Sequence, residues 1–368
     1  MTPSLLRRCT IASPNSFRRT QGFRSKAALE ALEKASDEKT PTIALYNYPS
    51  FSGAFSALFA HLFHSHLRLP CLILPFSSVE PLSSTEFNCA IKQSWSNILL
   101  ARVDDLCIEG LKECYFLDFL GPRGFAAELS HQSSCKVIGF DHRKSVLSMV
   151  SCDSGSSGNV SFRVDLDKSS STAAYEYFST KLLLTESSDG EVKYLLNPKQ
   201  RDRLELVLKY IEDADLRQWS LPNIKAFNLA LGEWRSMLNC MTNPHIYEQL
   251  LEISSLDLIG KGNSLMSIRQ DAAKNLLDKG VRADGYSNLT DEIAKDLSLK
   301  SAAAGLRPIG AVIYMQRKNL KMCLRSTDAG TDTSEVAKLF LYCLSEREGI
   351  WWRRLPKFQL FHNKDGRV

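Results

Sequence analysis

The chain has no run of about 18 uncharged apolar residues, so no segment reads as a membrane-spanning helix. Its ten cysteines include no Cys-x-x-Cys pair and lie scattered through apolar segments. That argues against a zinc site or a disulfide framework and for reduced, buried thiols. A Walker phosphate loop, a Gly-x-Gly-x-x-Gly fingerprint and a Ser–His–Asp arrangement are all missing, which sets aside the common nucleotide-binding and serine-hydrolase classes. No internal repeat is visible, so a solenoid is excluded. A basic body is lacking too. The formal charge of +5 comes from six positives among residues 1–29, and the rest holds 40 basic against 41 acidic residues. A broad nucleic-acid footprint is therefore absent at the level of bulk charge.

What is present is an ordinary globular composition, 44% hydrophobic and 24% charged over 368 residues, enough for about two domains. Residues 1–29 carry Arg7, Arg8, Arg18, Arg19, Arg24 and Lys26, with no acid before Glu30. Such a stretch fits a mitochondrial transit peptide, with a chloroplast address or a cytoplasmic basic tail as the alternatives.

From residue 40 short apolar runs at 42–46, 71–75, 114–117, 136–140 and 160–164 alternate with helical patterns at 53–66, 124–130 and 145–150. This alternation predicts an α/β fold with a mainly parallel sheet and flanking helices. Beyond residue 200 helical spacing continues at 201–215, 224–238, 244–254 and 264–278. A hairpin pattern follows, 309–316 and 320–326 around a basic turn. The domains read as a targeting or disordered segment 1–39, an α/β domain 40–222, a helical connector 223–298, a smaller α/β domain 299–340 and a divergent tail 341–368.

In an open parallel sheet, ligands bind beyond the carboxyl ends of the strands. Asp118 directly follows the run 114–117, and Asp141, with His142 next to it, directly follows 136–140. Acids held rigidly at strand tips suit a divalent cation such as Mn²⁺. A single strand-terminal Asp more often caps a helix, but with two from neighbouring strands, one followed by His, a metal site stands as an equal alternative.

Four segments in order carry a family resemblance: 115–124 (YFLDFLGPRG), 137–147 (VIGFDHRKSVL), 163–175 (RVDLDKSSSTAAY) and 210–222 (YIEDADLRQWSLP). Together they resemble the DHH phosphoesterases, over about residues 42–340. The resemblance implies a DHH domain, helices, a smaller DHHA1 domain and a two-Mn²⁺ cleft that cleaves phosphodiesters. Carried over by position, it assigns Asp118, Asp141, His142 and Asp215 as ligands, with Asp213 as the alternative to Asp215. On an enzyme reading Asp141 and His142 would be the catalytic pair, and Arg143 and Arg325 would contact the substrate phosphate.

Departures from the pattern are equally specific. Asn47 stands where the family has His, Ser52 where it has Asp, and Arg143 where it has the second His of Asp-His-His. The glycine run expected after residue 340 is replaced by Leu341-Tyr342-Cys343-Leu344-Ser345. Two divalent cations about 3.5–4 Å apart need several anions to hold them. The expectation is therefore one Mn²⁺ at most. A metal-dependent hydrolase of short oligonucleotides or nucleotides, with weakened or lost activity, is the first functional reading. The alternative is a non-catalytic nucleotide-binding or scaffold protein of the same fold. A short oligonucleotide or nucleotide and a second copy of the chain are the partners expected. Lesser candidates for a phosphate or membrane contact are Arg317, Lys318 and Lys321, and the tail Trp351-Trp352-Arg353-Arg354.

Overall fold

The computed structural model describes residues 26–76, 103, 105–148, 150, 158–185, 194–278, 289–316, 319–328, 330–333, 336–337 and 359–361. The turn residues Arg317 and Lys318, residues 1–25 and nearly all of 338–368 lie outside that set, and with them the targeting segment's basic part and the aromatic tail. In chain order the helices are α1 (Lys26–Asp37), α2 (Phe51–Leu67), α3 (Phe125–Ser133), α4 (Ser170–Leu184), α5 (Pro198–Asp215), α6 (Ile224–Gly232), α7 (Ile246–Glu252), α8 (Ser255–Asp278) and α9 (Thr290–Ala303). The strands are β1 (Thr42–Asn47), β2 (Leu72–Phe76), β3 (Glu113–Leu117), β4 (Lys136–Asp141), β5 (Val160–Val164), β6 (Ile309–Gln316), β7 (Asn319–Ser326) and β8 (Gln359–Phe361). None of the helices among the described residues is long and apolar enough to cross a membrane.

The chain divides into two compact units, Met1–Ile224 with Leu231–Asp257, and Lys225–Ala230 with Leu258–Val368. The expected connector 223–298 is thus shared between them rather than standing alone. Residues 26–37 were expected within a leader segment but form α1. Ala28, Leu32 and Ala35, spaced along one helical face, are buried in the same cluster as Ile43, Leu74 and Cys114.

In the first unit β1–β5 form a parallel sheet of order β2-β1-β3-β4-β5. The fold class is therefore α/β, as the alternation predicts. Both faces of the central strands β1, β3 and β4 are covered, so these are apolar runs, with Ile43, Ala44, Leu45 and Tyr46 fully buried, whereas the edge strand β5 alternates. After β2 the chain returns to the other side of β1 to lay down β3. The order reverses between β1 and β3, which opens a crevice beyond their carboxyl ends.

Two helices frame that crevice. Ser50 caps α2, its hydroxyl accepting from Gly53 N at 3.3 Å. Ser169 caps α4 by accepting from Thr172 N at 3.2 Å. The helices pack through Phe55, Phe59 and Phe63 of α2 and Phe178 of α4, all buried. Their first turns are also bonded: Ser171 N donates to Ser52 Oγ at 2.9 Å, and Ser56 Oγ donates to Ser52 O at 2.7 Å and Ser170 O at 3.2 Å. The pattern at 145–150 opens with a 3-10 turn at Lys144–Val146, and residues 147, 148 and 150 are helical. The pattern at 224–238 splits at Gly232 into α6 and a 3-10 turn, Glu233–Met237.

In the second unit β6 and β7 form the expected antiparallel hairpin, with β8 parallel to β7. Ile293 and Ala294 of α9 pack with Val312 and Cys323.

Gly53 joins α2 to the end of β1 by close approach: a Cβ there would stand 2.3 Å from Asn47 O and 3.0 Å from Asn47 N. Both obstacles are backbone, so the helix or the strand end would have to move. Gly53→Ala is expected to cost about 1–3 kcal/mol in urea unfolding. A midpoint equal to wild type would show that the approach is not tight.

Candidate metal centre

Asp118 follows β3 in the left-handed conformation, φ 67°, and is 2% exposed. Asp tolerates that region because its short polar side chain can bond locally. Its Oδ2 accepts from Asn47 Nδ2 at 2.9 Å. Its Oδ1 is buried without a hydrogen bond and faces His142 Nδ1 at 3.4 Å.

Asp141 ends β4 and is 1% exposed. Its Oδ1 accepts from His142 N at 2.8 Å, Arg143 N at 2.9 Å and Arg143 Nε at 2.9 Å. Its Oδ2 accepts from Arg143 Nη2 at 2.7 Å, and the same nitrogen donates to Asp118 O at 2.8 Å. This is a fork of one guanidinium onto both oxygens of one carboxylate, the strongest form of the pair. Arg143 thus meets the side chain of Asp141 and the carbonyl of Asp118.

His142 Nδ1 also lies 2.9 Å from Ser170 Oγ, at the start of α4. Asp215 closes α5, and its Oδ2 is buried with no hydrogen-bond partner. It interacts electrostatically with Asp118, His142 and Arg143. Asp118, Asp141 and His142 each offer a ligand atom within 4.8 Å of the others.

The charges pair off. Burial alone raises the Asp118 carboxyl, but the nearby polar groups of His142, Ser50 and Asn47, with the charge of His142, bring it below its ordinary value. Burial lowers His142, yet Asp118 foremost, then the charges of Asp215 and Asp141, carry it above its ordinary value. Asp141 has Arg143. Asp215 is left over: burial first, then the charge of Asp118, push its carboxyl up to about 7 against the opposing effects of His142, Ser52 and Arg143.

The other candidates fall elsewhere. Asp213 is buried but engaged: its carboxylate accepts from Ser220 N at 2.9 and 3.1 Å and from Ser220 Oγ at 2.5 Å, tying down the turn after α5. Of the two, Asp215 is the one that interacts with Asp118 and His142. Arg325 belongs to the second unit, where Nε and Nη2 pair with Asp291, so the structure shows a partner other than phosphate. Asn47 and Ser52 serve the fold in their neutral form, the first orienting Asp118 and the second joining α2 to α4. Ser50 and Ser170 had no place in the sequence-based site. Their only signal was position one or two residues before or at a helix start, which reads as capping. Asp165 Oδ1 accepts from Asp167 N at 2.9 Å, and the cap of α4 is Ser169.

The ligand set fits a divalent cation. Orphaned oxygens on Asp118 and Asp215, beside an imidazole, are the donors such an ion takes. A second ion would need Asp141, whose oxygens are already occupied by four N–H donors.

No family model matches the chain, and no curated protein matches it. Among solved structures it overlaps an uncharacterized protein from Helicobacter pylori G27 (12% identity, 81% of this chain, 88% of that chain, TM-score 0.35). It also overlaps exonuclease RecJ bound to manganese (12%, 85% and 85%, 0.35) and an exopolyphosphatase-related protein from Bacteroides fragilis (11%, 88% and 96%, 0.32). At such identities and TM-scores these overlaps establish neither family nor activity. The fold assignment rests on strand order and register.

A carboxyl whose pKa rises on folding binds its proton more tightly in the folded chain. Its effect on stability is favourable below the ordinary value of 3.8 and is lost as pH rises towards about 7. In chelator-treated protein, Asp215→Asn is expected to gain urea-midpoint stability over wild type as pH climbs through that window. A difference independent of pH would contradict the assignment.

Proposed function

We propose that the chain is a divergent phosphoester-binding protein of the DHH type, which holds one divalent cation and a phosphate group at the β1–β3 crevice without two-metal hydrolysis. The observation that carries this reading is the Arg143 fork on Asp141. A permanent guanidinium charge sits on the carboxylate that would otherwise be free to bridge two cations. Asp118 and Asp215, with His142, would hold the single cation, Mn²⁺ being the expected ion. Bound there, it would supply Lewis-acid polarisation of a phosphoryl oxygen.

The chain's own groups supply recognition. Arg143 Nη1 and His142 Nε2 make no hydrogen bond among the described residues, and both side chains are partly accessible, at 41% and 11%. They are the donors for a phosphate of a short oligonucleotide or nucleotide. Asn47 holds Asp118 in place as a neutral donor. What a hydrolase would need in addition, a second cation to activate water opposite the leaving oxygen, has no vacant anionic bridge to rest on.

Equilibrium dialysis against Mn²⁺ is expected to give at most one ion per chain, lost in Asp118→Asn. Labelled di- to pentanucleotides with Mn²⁺ should show the same background with wild type and Asp141→Asn. Turnover that this substitution abolishes would overturn the non-catalytic reading in favour of a hydrolase. The triple variant Asn47→His, Ser52→Asp, Arg143→His is expected to take up a second ion.

A further inference from the structure

Asp141 and Arg143 differ sharply in exposure. The Asp141 side chain is 0% exposed, and the Arg143 side chain that covers it is 41% exposed. The guanidinium uses Nε and Nη2 on Asp141 and the Asp118 carbonyl, and keeps both N–H groups of Nη1 unspent among the described residues. Beneath it, Asp141 Oδ1 has two backbone donors besides Arg143 Nε, whereas among the described residues Oδ2 has Arg143 Nη2 as its one hydrogen-bond donor. If the guanidinium turned away, Oδ1 would remain satisfied and Oδ2 would become a bare carboxylate oxygen. Asp141 offers that chemistry within 4.8 Å of ligand atoms on Asp118 and His142.

A planar fork matches phosphate as well as carboxylate. A phosphate group held bidentately through Nη1 and Nη2 takes Nη2 from Asp141 Oδ2, and so competes with Asp141 for the same guanidinium. From this we propose that Arg143 is a displaceable internal cation: phosphate draws it off Asp141, and Asp141 then becomes an additional ligand for the divalent ion. The proposal rests on the one-cation reading above and adds its regulation. The two ligands are coupled through one side chain, so each must tighten the other by the same factor. In the resting protein the site holds its cation weakly, because the carboxylate nearest to Asp118 and His142 is spent on Arg143. With phosphate bound, the positive charge moves from one anion to another and the site gains a ligand. This gives the chain a means of taking metal and phosphoester together without a second metal.

The test uses the full chain and inorganic phosphate as the probe. Mn²⁺ affinity is read by electron paramagnetic resonance at matched free Mn²⁺, with and without phosphate, for wild type, Arg143→Gln and Arg143→Lys. Wild type is expected to bind Mn²⁺ about fivefold or more tightly with phosphate, within the usual range of coupling between sites. Arg143→Gln is expected to bind tightly without phosphate and to lose the dependence. Arg143→Lys, which keeps the charge but cannot fork, is expected to fall between them, and it serves if the glutamine variant does not fold. Equal wild-type affinity in both conditions overturns the displacement while leaving the one-cation reading intact. A phosphate effect undiminished in both variants also overturns it, because phosphate would then act on the metal directly. No Mn²⁺ uptake by any of the proteins removes the one-cation reading itself.

Discussion

The guanidinium of Arg143 locked onto Asp141 sets the character of this cleft. A carboxylate at the tip of a fully buried parallel strand is costly unless compensated, and a protein has two ways to compensate it: a bound cation or a resident one. Here the cation is covalently part of the chain and two residues away in sequence. Everything nearby follows from that choice. Asp118 is left with His142 and Asn47, and the third carboxyl, Asp215, has no cation of its own and is pushed towards keeping its proton. Two bases balance two acids, and one acid remains.

The framework that makes this local choice matter is the reversal of strand order between β1 and β3. It brings Asn47 from the end of β1 within hydrogen-bond distance of Asp118 beyond β3, although 71 residues separate them. Gly53 lets α2 start hard against that strand end, and the serines of α2 and α4 lock the two helix starts together. Ser170 in turn reaches His142. The positions that a metal-rich site would fill with charged ligands are thus occupied by neutral side chains with bonding duties in the fold. Restoring a charge at Ser52 would place it where a backbone N–H of α4 now donates.

Much of the site was legible before any coordinates. Asp118 and Asp141 stand directly after apolar runs, and a strand tip is a fixed address because the period of a buried strand leaves little freedom in where it ends. Asp215 came from the family resemblance, which left its neighbour Asp213 open as the alternative. The elimination came from a turn: Ser220 folds back onto Asp213, a contact over seven residues that depends on left-handed backbone at Arg217 and Trp219. Helix α1 was missed because its apolar face is narrow, three small or medium residues among charged ones, and its burial depends on strands laid down later in the chain.

Local chemistry alone dictated the strands, the hairpin, the acids at the strand tips and the loss of ligand types at Asn47, Ser52 and Arg143, because each depends on residues adjacent in the chain or repeating with a fixed period. The partner of each charge was decided in three dimensions. Arg143 could have met either acid, and Arg325 could have remained free for an anion; packing put the first on Asp141 and the second on Asp291. Pairing between charged groups depends on ångström distances and on burial, and neither is written in the order of residues until the sheet and its helices have closed around them.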